Sequence, residues 1–164
     1  MLYRRIDGPL EVLLAHPGGP FFVSKDEGHW TIPKGEIDEG ERGGGAEHGA
    51  SLLAVARREF AEETGHEAPA GTGIPLGSIV QKGGKVVHAW AFEGDLDPAS
   101  ARSNTFELAW PPGSGRMTSF PEIDRVAWFD LAEATRRVKP TQIPLLERLE
   151  AVLRAGGPAP TLAE

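Results

Sequence analysis

The chain has 164 residues, a formal net charge of −7 and no cysteine. That length suffices for one domain with a real hydrophobic core, zero cysteines exclude disulfides and zinc–thiolate centres, and the acidic balance disfavours a nucleic-acid polymer as partner while leaving room for a small phosphate ligand. The first twenty residues carry Arg4, Arg5, Asp7 and Glu11, unlike a secretory leader, and no apolar run approaches the ~20 residues of a membrane span, so the expectation is a soluble cytoplasmic protein with no membrane partner.

Residues 2–6 read as the end of a hairpin partner that turns at Asp7-Gly8. Leu10 to His16 is an apolar run bounded by Pro and Gly and predicts a buried strand. Pro17 to Asp26 reads as a loop, and Trp30-Thr31-Ile32 as a short strand ended by Pro33. The strongest helix is Ser51 to Thr64: Ser51 is an N-cap candidate, Leu52, Ala56 and Phe60 repeat at i+4, and Gly65 is a natural stop. Ile74 to Gln81 and Lys85 to Phe92 form a hairpin across Gly83-Gly84. Arg125 to Phe129 is a further strand, and Asp130 with Glu133 makes a capping box that opens a short helix. Leu145, Leu146, Leu149, Val152 and Leu153 mark the stripe of a C-terminal amphipathic helix. Without repeat or linker, residues 1–155 read as a single α+β domain and 156–164 as a flexible tail.

The chemistry concentrates in Arg58-Glu59-Phe60-Ala61-Glu62-Glu63-Thr64-Gly65. Glu59 stands at i to Glu62 at i+3 and Glu63 at i+4, so the three carboxylates are helical neighbours. Like charges so placed repel by roughly 0.2–0.5 kcal/mol per close pair. A hard cation removes that repulsion, and Mg²⁺ is commonly held by a few carboxylates together with substrate phosphates. The competing reading is a solvated acidic face.

Upstream stand Trp30-Thr31-Ile32-Pro33-Lys34-Gly35-Glu36 and Glu39-Gly40-Glu41. Together with Arg58 to Gly65 they resemble the signature of the Nudix hydrolase family: Gly35 and Glu41 match its first half, and Arg58, Glu59, Phe60, Glu62, Glu63 and Gly65 its second. Two departures stand out. Sixteen residues separate Glu41 from Arg58 where the family has seven, and the excess, Arg42 to Ala50, holds four glycines in nine residues and reads as a surface loop. His66 stands where the family prefers an apolar residue. Lys82 to Trp90 and Ser103 to Glu107 also resemble a bacterial subgroup described as predicted NTP pyrophosphohydrolases.

The resemblance implies the Nudix α/β/α sandwich with a mixed sheet. It also implies Mg²⁺-dependent hydrolysis, with Mn²⁺ as a substitute, of the pyrophosphate linkage in a nucleoside diphosphate derivative such as a (d)NTP, a dinucleoside polyphosphate or ADP-ribose. Glu59, Glu62 and Glu63 would carry the metal with the Gly35 carbonyl, Arg58 would orient a neighbouring carboxylate, Lys34 would contact a phosphate, and Glu41 would support the loop. The general base is Glu59 or a loop carboxylate placed as Glu122 is, with Glu107 behind it. A homodimer is left open. The alternative is a non-catalytic Nudix-fold module that binds a nucleotide to regulate something else. Phe22 and Trp110 are candidates to stack on a base, Trp30 reads as core, and His88, alternating with Val86 and Trp90, reads as a cleft wall.

Overall fold

The structure, a computed structural model, describes residues 1–5, 8–33 and 46–156, with side chains in the last span from residue 52 onward. Asp7 and the 157–164 tail therefore lie outside the described residues. A five-stranded mixed sheet forms the centre: β1 (Leu2–Arg4), β2 (Glu11–Pro17), β3 (Ile74–Val80), β4 (Val86–Glu93) and β7 (Ile123–Asp130), in the order β3-β4-β1-β2-β7. β1 runs antiparallel to β2 and parallel to β4, and the other pairs are antiparallel.

β2 is a near-continuous apolar run because both of its faces are covered. Val12, Leu13, Leu14 and Ala15 are all buried, Val12 and Leu14 against one core and Leu13 and Ala15 against the other. One face of the sheet carries α2 (Leu131–Arg137) and α3 (Ile143–Arg154), whose Leu145, Leu146 and Leu149 are fully enclosed. Asp130 caps α2 by accepting from the Glu133 N–H at 2.8 Å, as its capping box predicts. The opposite face carries α1 (Ala46–Thr64), packed through Phe60 and Leu53 against Leu2, Leu13, Phe92 and Val126. This is the α/β/α arrangement expected from the resemblance.

The β3–β4 hairpin turns at Gly83 and Gly84, both at positive φ, as the sequence requires. β3 is an edge strand, and its open side is blunted. It carries Pro75 and a register shift before Gly77, and Arg148 of α3 donates to the carbonyls of Leu76 and Ser78 at 2.8 and 2.9 Å.

Three sequence expectations change. The helix begins at Ala46, not Ser51, so the last five residues of the Arg42–Ala50 segment are helical and Ser51 is not a cap. Ala46, Glu47 and Ala50 are favourable helix formers and carry the helix through Gly49. Trp30-Thr31-Ile32 is not a strand. Thr31 makes a bridge to Ala15 and Trp30 one to Val138, while the Ile32 N–H goes to a side chain, the Gln142 Oε1 at 2.9 Å. Third, Thr105–Ala109 (β5) and Met117–Pro121 (β6) form a separate two-stranded ribbon where the sequence predicts no strand.

Candidate functional site

On α1, Val55, Glu59 and Glu63 follow one another at i+4, each step turning about 40° around the helix axis. Leu52, Val55, Ala56 and Phe60 form one wall of a narrow cleft. The opposing wall is the α1-facing side of β4, Val86, His88, Trp90 and Phe92, and Met1, Leu2, Ile32 and Pro33 complete it. Neither Glu59 nor Glu63 is among the residues that line this cleft, and Glu63 lines a second pocket with Arg102, Asp124 and Arg125.

The electrostatics around the row are ordered. Arg58 bridges two carboxylates, with Nη2 at 2.9 Å from Glu59 and Nη1 at 3.3 Å from Glu62. Glu59 is the more sheltered of the pair, its side chain 16% exposed against 39% for Glu62. The Met1 ammonium donates to the Trp90 carbonyl at 2.9 Å. Burial pushes its pKa down to about 5, and the Glu63 carboxylate pulls the other way. Arg57 fixes the exit of the helix. It donates to the carbonyls of Ala68, Pro69 and Gly71 and lies 4.7 Å from the Phe92 ring centre, holding Ala68 in the cleft wall.

Glu122 lies at the corner between β6 and β7, tied to α1 through two backbone links. The Glu122 N–H donates to the Asn104 carbonyl at 2.9 Å, and the Asn104 N–H donates to the Glu62 carbonyl at 3.1 Å. Gly18 closes the same corner by donating to the Glu122 carbonyl at 2.8 Å. A Cβ at Gly18 would stand 2.0 Å from the Pro121 carbonyl oxygen, so only glycine permits that approach. Glu107 sits opposite Ser119 in the ribbon, outside the cleft lining. Phe22 packs on His29 and Lys25, and Trp110 meets Phe21 edge to face at 5.5 Å, so neither aromatic lines the cleft. Trp30 is core, and His88 is a cleft wall, both as read from the sequence.

Lys34, Gly35 and Glu41 lie outside the described residues; Pro33, the last described residue before them, is in the cleft wall. Among the described residues no three His, Asp or Glu side chains gather at metal-binding distance. The donor set is nonetheless of the right kind. Three carboxylates within two helical turns, with one guanidinium shared between two of them, supply hard oxygen ligands of the type Mg²⁺ takes.

Two residues that brace the site were not singled out in the sequence. His16 is fully buried, its Nε2 2.7 Å from the Lys25 carbonyl and its Nδ1 2.8 Å from Asp124, two residues after Glu122. A carbonyl only accepts, so Nε2 donates there. The signal was its parity with Val12 and Leu14 on one face of β2. Gln142 is fully buried and receives the Ile32 N–H, while its Nε2 donates to Thr31 Oγ1 at 2.8 Å, fixing the segment that ends at Pro33. Nothing in a lone Gln before a Leu-rich helix marks such a role.

Comparison with known proteins agrees with this architecture. The fold is similar to an Ap4A hydrolase of C. elegans solved as a binary complex, at TM-score 0.60 and 21% identity over 94% of this chain and 95% of that one. It is similar to the NUDIX domain of Shewanella oneidensis NrtR complexed with ADP ribose, at TM-score 0.57 and 19% identity over 93% and 83% of the two chains. It is also similar to the E. coli ORF135 protein, at TM-score 0.50 and 25% identity over 97% and 91%. No helix among the described residues is long and apolar enough to cross a membrane. The NUDIX domain model matches residues 4–149, and the chain belongs to that family.

Proposed function

We propose that the chain is a pyrophosphohydrolase that cleaves a phosphoric anhydride of a nucleoside diphosphate derivative with Mg²⁺, or Mn²⁺ in its place. The observation that carries this reading is the carboxylate cluster of α1, Glu59, Glu62 and Glu63, with Arg58 held between Glu59 and Glu62. Mg²⁺ bound there would neutralise phosphate oxygens and acidify a bound water. Glu59, Glu62 and Glu63 would hold it, with the Gly35 carbonyl as a further ligand and Lys34 on a phosphate. Arg58 would keep Glu59 and Glu62 from turning away, since one guanidinium holds both. Glu122 would accept the proton of the attacking water as its oxygen bonds to phosphorus and the anhydride P–O bond breaks, releasing two phosphate products. The backbone ties through Asn104 are what bring that corner to α1. Glu41 would brace the loop that carries Gly35.

The test is phosphate release, through a coupling phosphatase or pyrophosphatase, from (d)NTPs, diadenosine polyphosphates, ADP-ribose and NADH at millimolar Mg²⁺ with an EDTA control. The Ap4A hydrolase and the ADP-ribose-bound NrtR domain make diadenosine polyphosphates and ADP-ribose the first substrates to try. Turnover that EDTA abolishes supports the hydrolase. A second reading, a non-catalytic nucleotide sensor, draws on the likeness to NrtR and on the long segment between Glu41 and Arg58. It takes over if nucleotides bind and none is cleaved.

A further inference from the structure

We infer that His16 is a positioning residue: through Asp124 it pins a β-bulge that sets where Glu122 stands against α1. The role of Glu122 rests on the hydrolase reading, and the pin itself does not.

The register of β2 and β7 carries the inference. His16 pairs with Arg125 and Pro17 with Ile123, so Asp124 is an extra residue without a partner across the ladder. Alternation along a regular strand would send Ile123 and Val126, three apart, to opposite faces. Both are instead buried in the core beneath α1, with Asp124 and Arg125 exposed between them. The extra residue is what returns Ile123 to that core. A ladder without it would turn Ile123 and the residues before it to the other face. Glu122 is the next residue back, so its place beside Glu62, reached through Asn104, depends on the bulge.

Two side chains hold the bulge. The Ser103 hydroxyl accepts from the Ile123 N–H at 3.0 Å and lies 2.9 Å from the Ile123 carbonyl. His16, fully buried, holds Asp124, with Nδ1 2.8 Å from Oδ1. The ring is itself fixed, because Nε2 donates to the Lys25 carbonyl at 2.7 Å and the Trp30 ring meets it edge to face at 5.1 Å. With Nε2 donating, a second proton lies between Nδ1 and the carboxylate, and the bond stands whichever atom carries it. Arg125 Nη1 lies at a looser 3.5 Å from the same Asp124 oxygen. Both nitrogens of His16 are thus committed, one to the loop after β2 and one to the bulge before which Glu122 stands.

Asp124→Ala removes the pin from its exposed side, and amide hydrogen exchange reads the result without substrate. The Gly18 N–H, which donates to the Glu122 carbonyl, should lose protection at least about tenfold, and the Leu149 amide less than about threefold. On diadenosine tetraphosphate and on ADP-ribose at millimolar Mg²⁺, kcat should fall at least about tenfold with KM within about threefold, because a displaced base slows the chemistry and leaves binding alone. Asp124→Asn should restore both readouts to within about threefold of wild type, since an amide can accept from a protonated Nδ1 or donate to a bare one. His16→Phe keeps a ring and removes both nitrogens. It should match Asp124→Ala at Gly18, and the double variant should lose less than about threefold more. Unchanged Gly18 protection in Asp124→Ala, equal loss at Gly18 and Leu149, or no rescue by Asp124→Asn overturns the inference. So does a kcat that holds while Gly18 loses protection. A wild type that cleaves neither substrate counts against the hydrolase reading instead, and exchange at Gly18 then decides the pin by itself.

Discussion

The two faces of the sheet are covered in different ways. On the α2/α3 side, Leu145, Leu146 and Leu149 are fully enclosed and share one core with Leu76, Ile79, Val87 and Ala91. On the α1 side, Leu52, Val55 and Phe60 are buried with Leu53 packed beside them, and the helix turns acidic at Glu59, Glu62 and Glu63. Arg58 pairs with Glu59 and Glu62, so the acidic part of α1 carries its own counter-charge. One helical layer meets the sheet through apolar side chains, and the other combines apolar packing with a carboxylate cluster.

The comparison breaks most sharply at the closed face. Leu149→Ala removes a fully buried side chain from a surface that cannot collapse around it, and should lower the unfolding free energy by about 2–5 kcal/mol. Urea titration measures the loss, and activity per folded molecule should stay near wild type. A drop in activity at full folding would show that the two faces are not independent. Glu62→Gln is the converse: Mg²⁺-dependent hydrolysis should fall at least about 100-fold, with the melting temperature within a few degrees. The half-exposed Arg58–Glu62 pair at 3.3 Å contributes about 0–1 kcal/mol, and its loss is partly offset by relief of the Glu59–Glu62 repulsion of roughly 0.2–0.5 kcal/mol. Unfolding of this variant would mean that Glu62 is a structural charge.

The same contrast governs what the sequence made legible. The closed face announces itself: Leu145, Leu146 and Leu149 recur at helical spacing and Asp130 with Glu133 sets the helix before them, because period and capping are local properties. The carboxylates of α1 were equally visible, since their spacing lies within one helix. The cleft was not, because its walls come from Met1, Pro33, α1 and β4, and only the sheet order β3-β4-β1-β2-β7 brings these together. The ribbon of β5 and β6 was missed because β5 is mostly exposed on both sides, so Thr105 to Ala109 lacks the alternation that marks a half-buried strand. His16 and Gln142 were missed for a related reason: their partners lie 108 and 110 residues away.

Gln142 is where the two faces meet. It leads into α3 on the closed side, yet its side chain holds Thr31 and Ile32, which feed Pro33 into the cleft. Gln142→Leu fills the space but leaves the Ile32 N–H buried without an acceptor, which should cost about 1–3 kcal/mol. Hydrogen exchange should localise the effect, with Ile32 losing protection more than the Leu149 amide. Equal loss at both would make Gln142 an ordinary core residue.

The smallest expected effect concerns Asp26, which ties the same segment to α2 from the outside. Its carboxylate accepts from the Trp30 Nε1 at 2.5 Å and from Arg137 Nη1 at 2.6 Å. The Trp30 indole N–H first, and the Arg137 guanidinium after it, hold the carboxyl below its ordinary value of 3.8. A depressed carboxylate pKa favours the folded state fully above the unfolded value and loses that contribution as pH falls through the folded one. Asp26→Asn should therefore lower the urea midpoint at pH 6, by no more than about 1 kcal/mol because the group is half-exposed. Below pH 4 the gap to wild type should narrow and then close as the wild-type carboxylate protonates. A gap that stays constant from pH 6 to pH 3 would assign the effect to the shape of the side chain and remove its charge from the account. A gap that closes would show that the strut joining the cleft-feeding segment to the closed face is electrostatic, and that it weakens in acid while the Leu145–Leu149 core behind it does not.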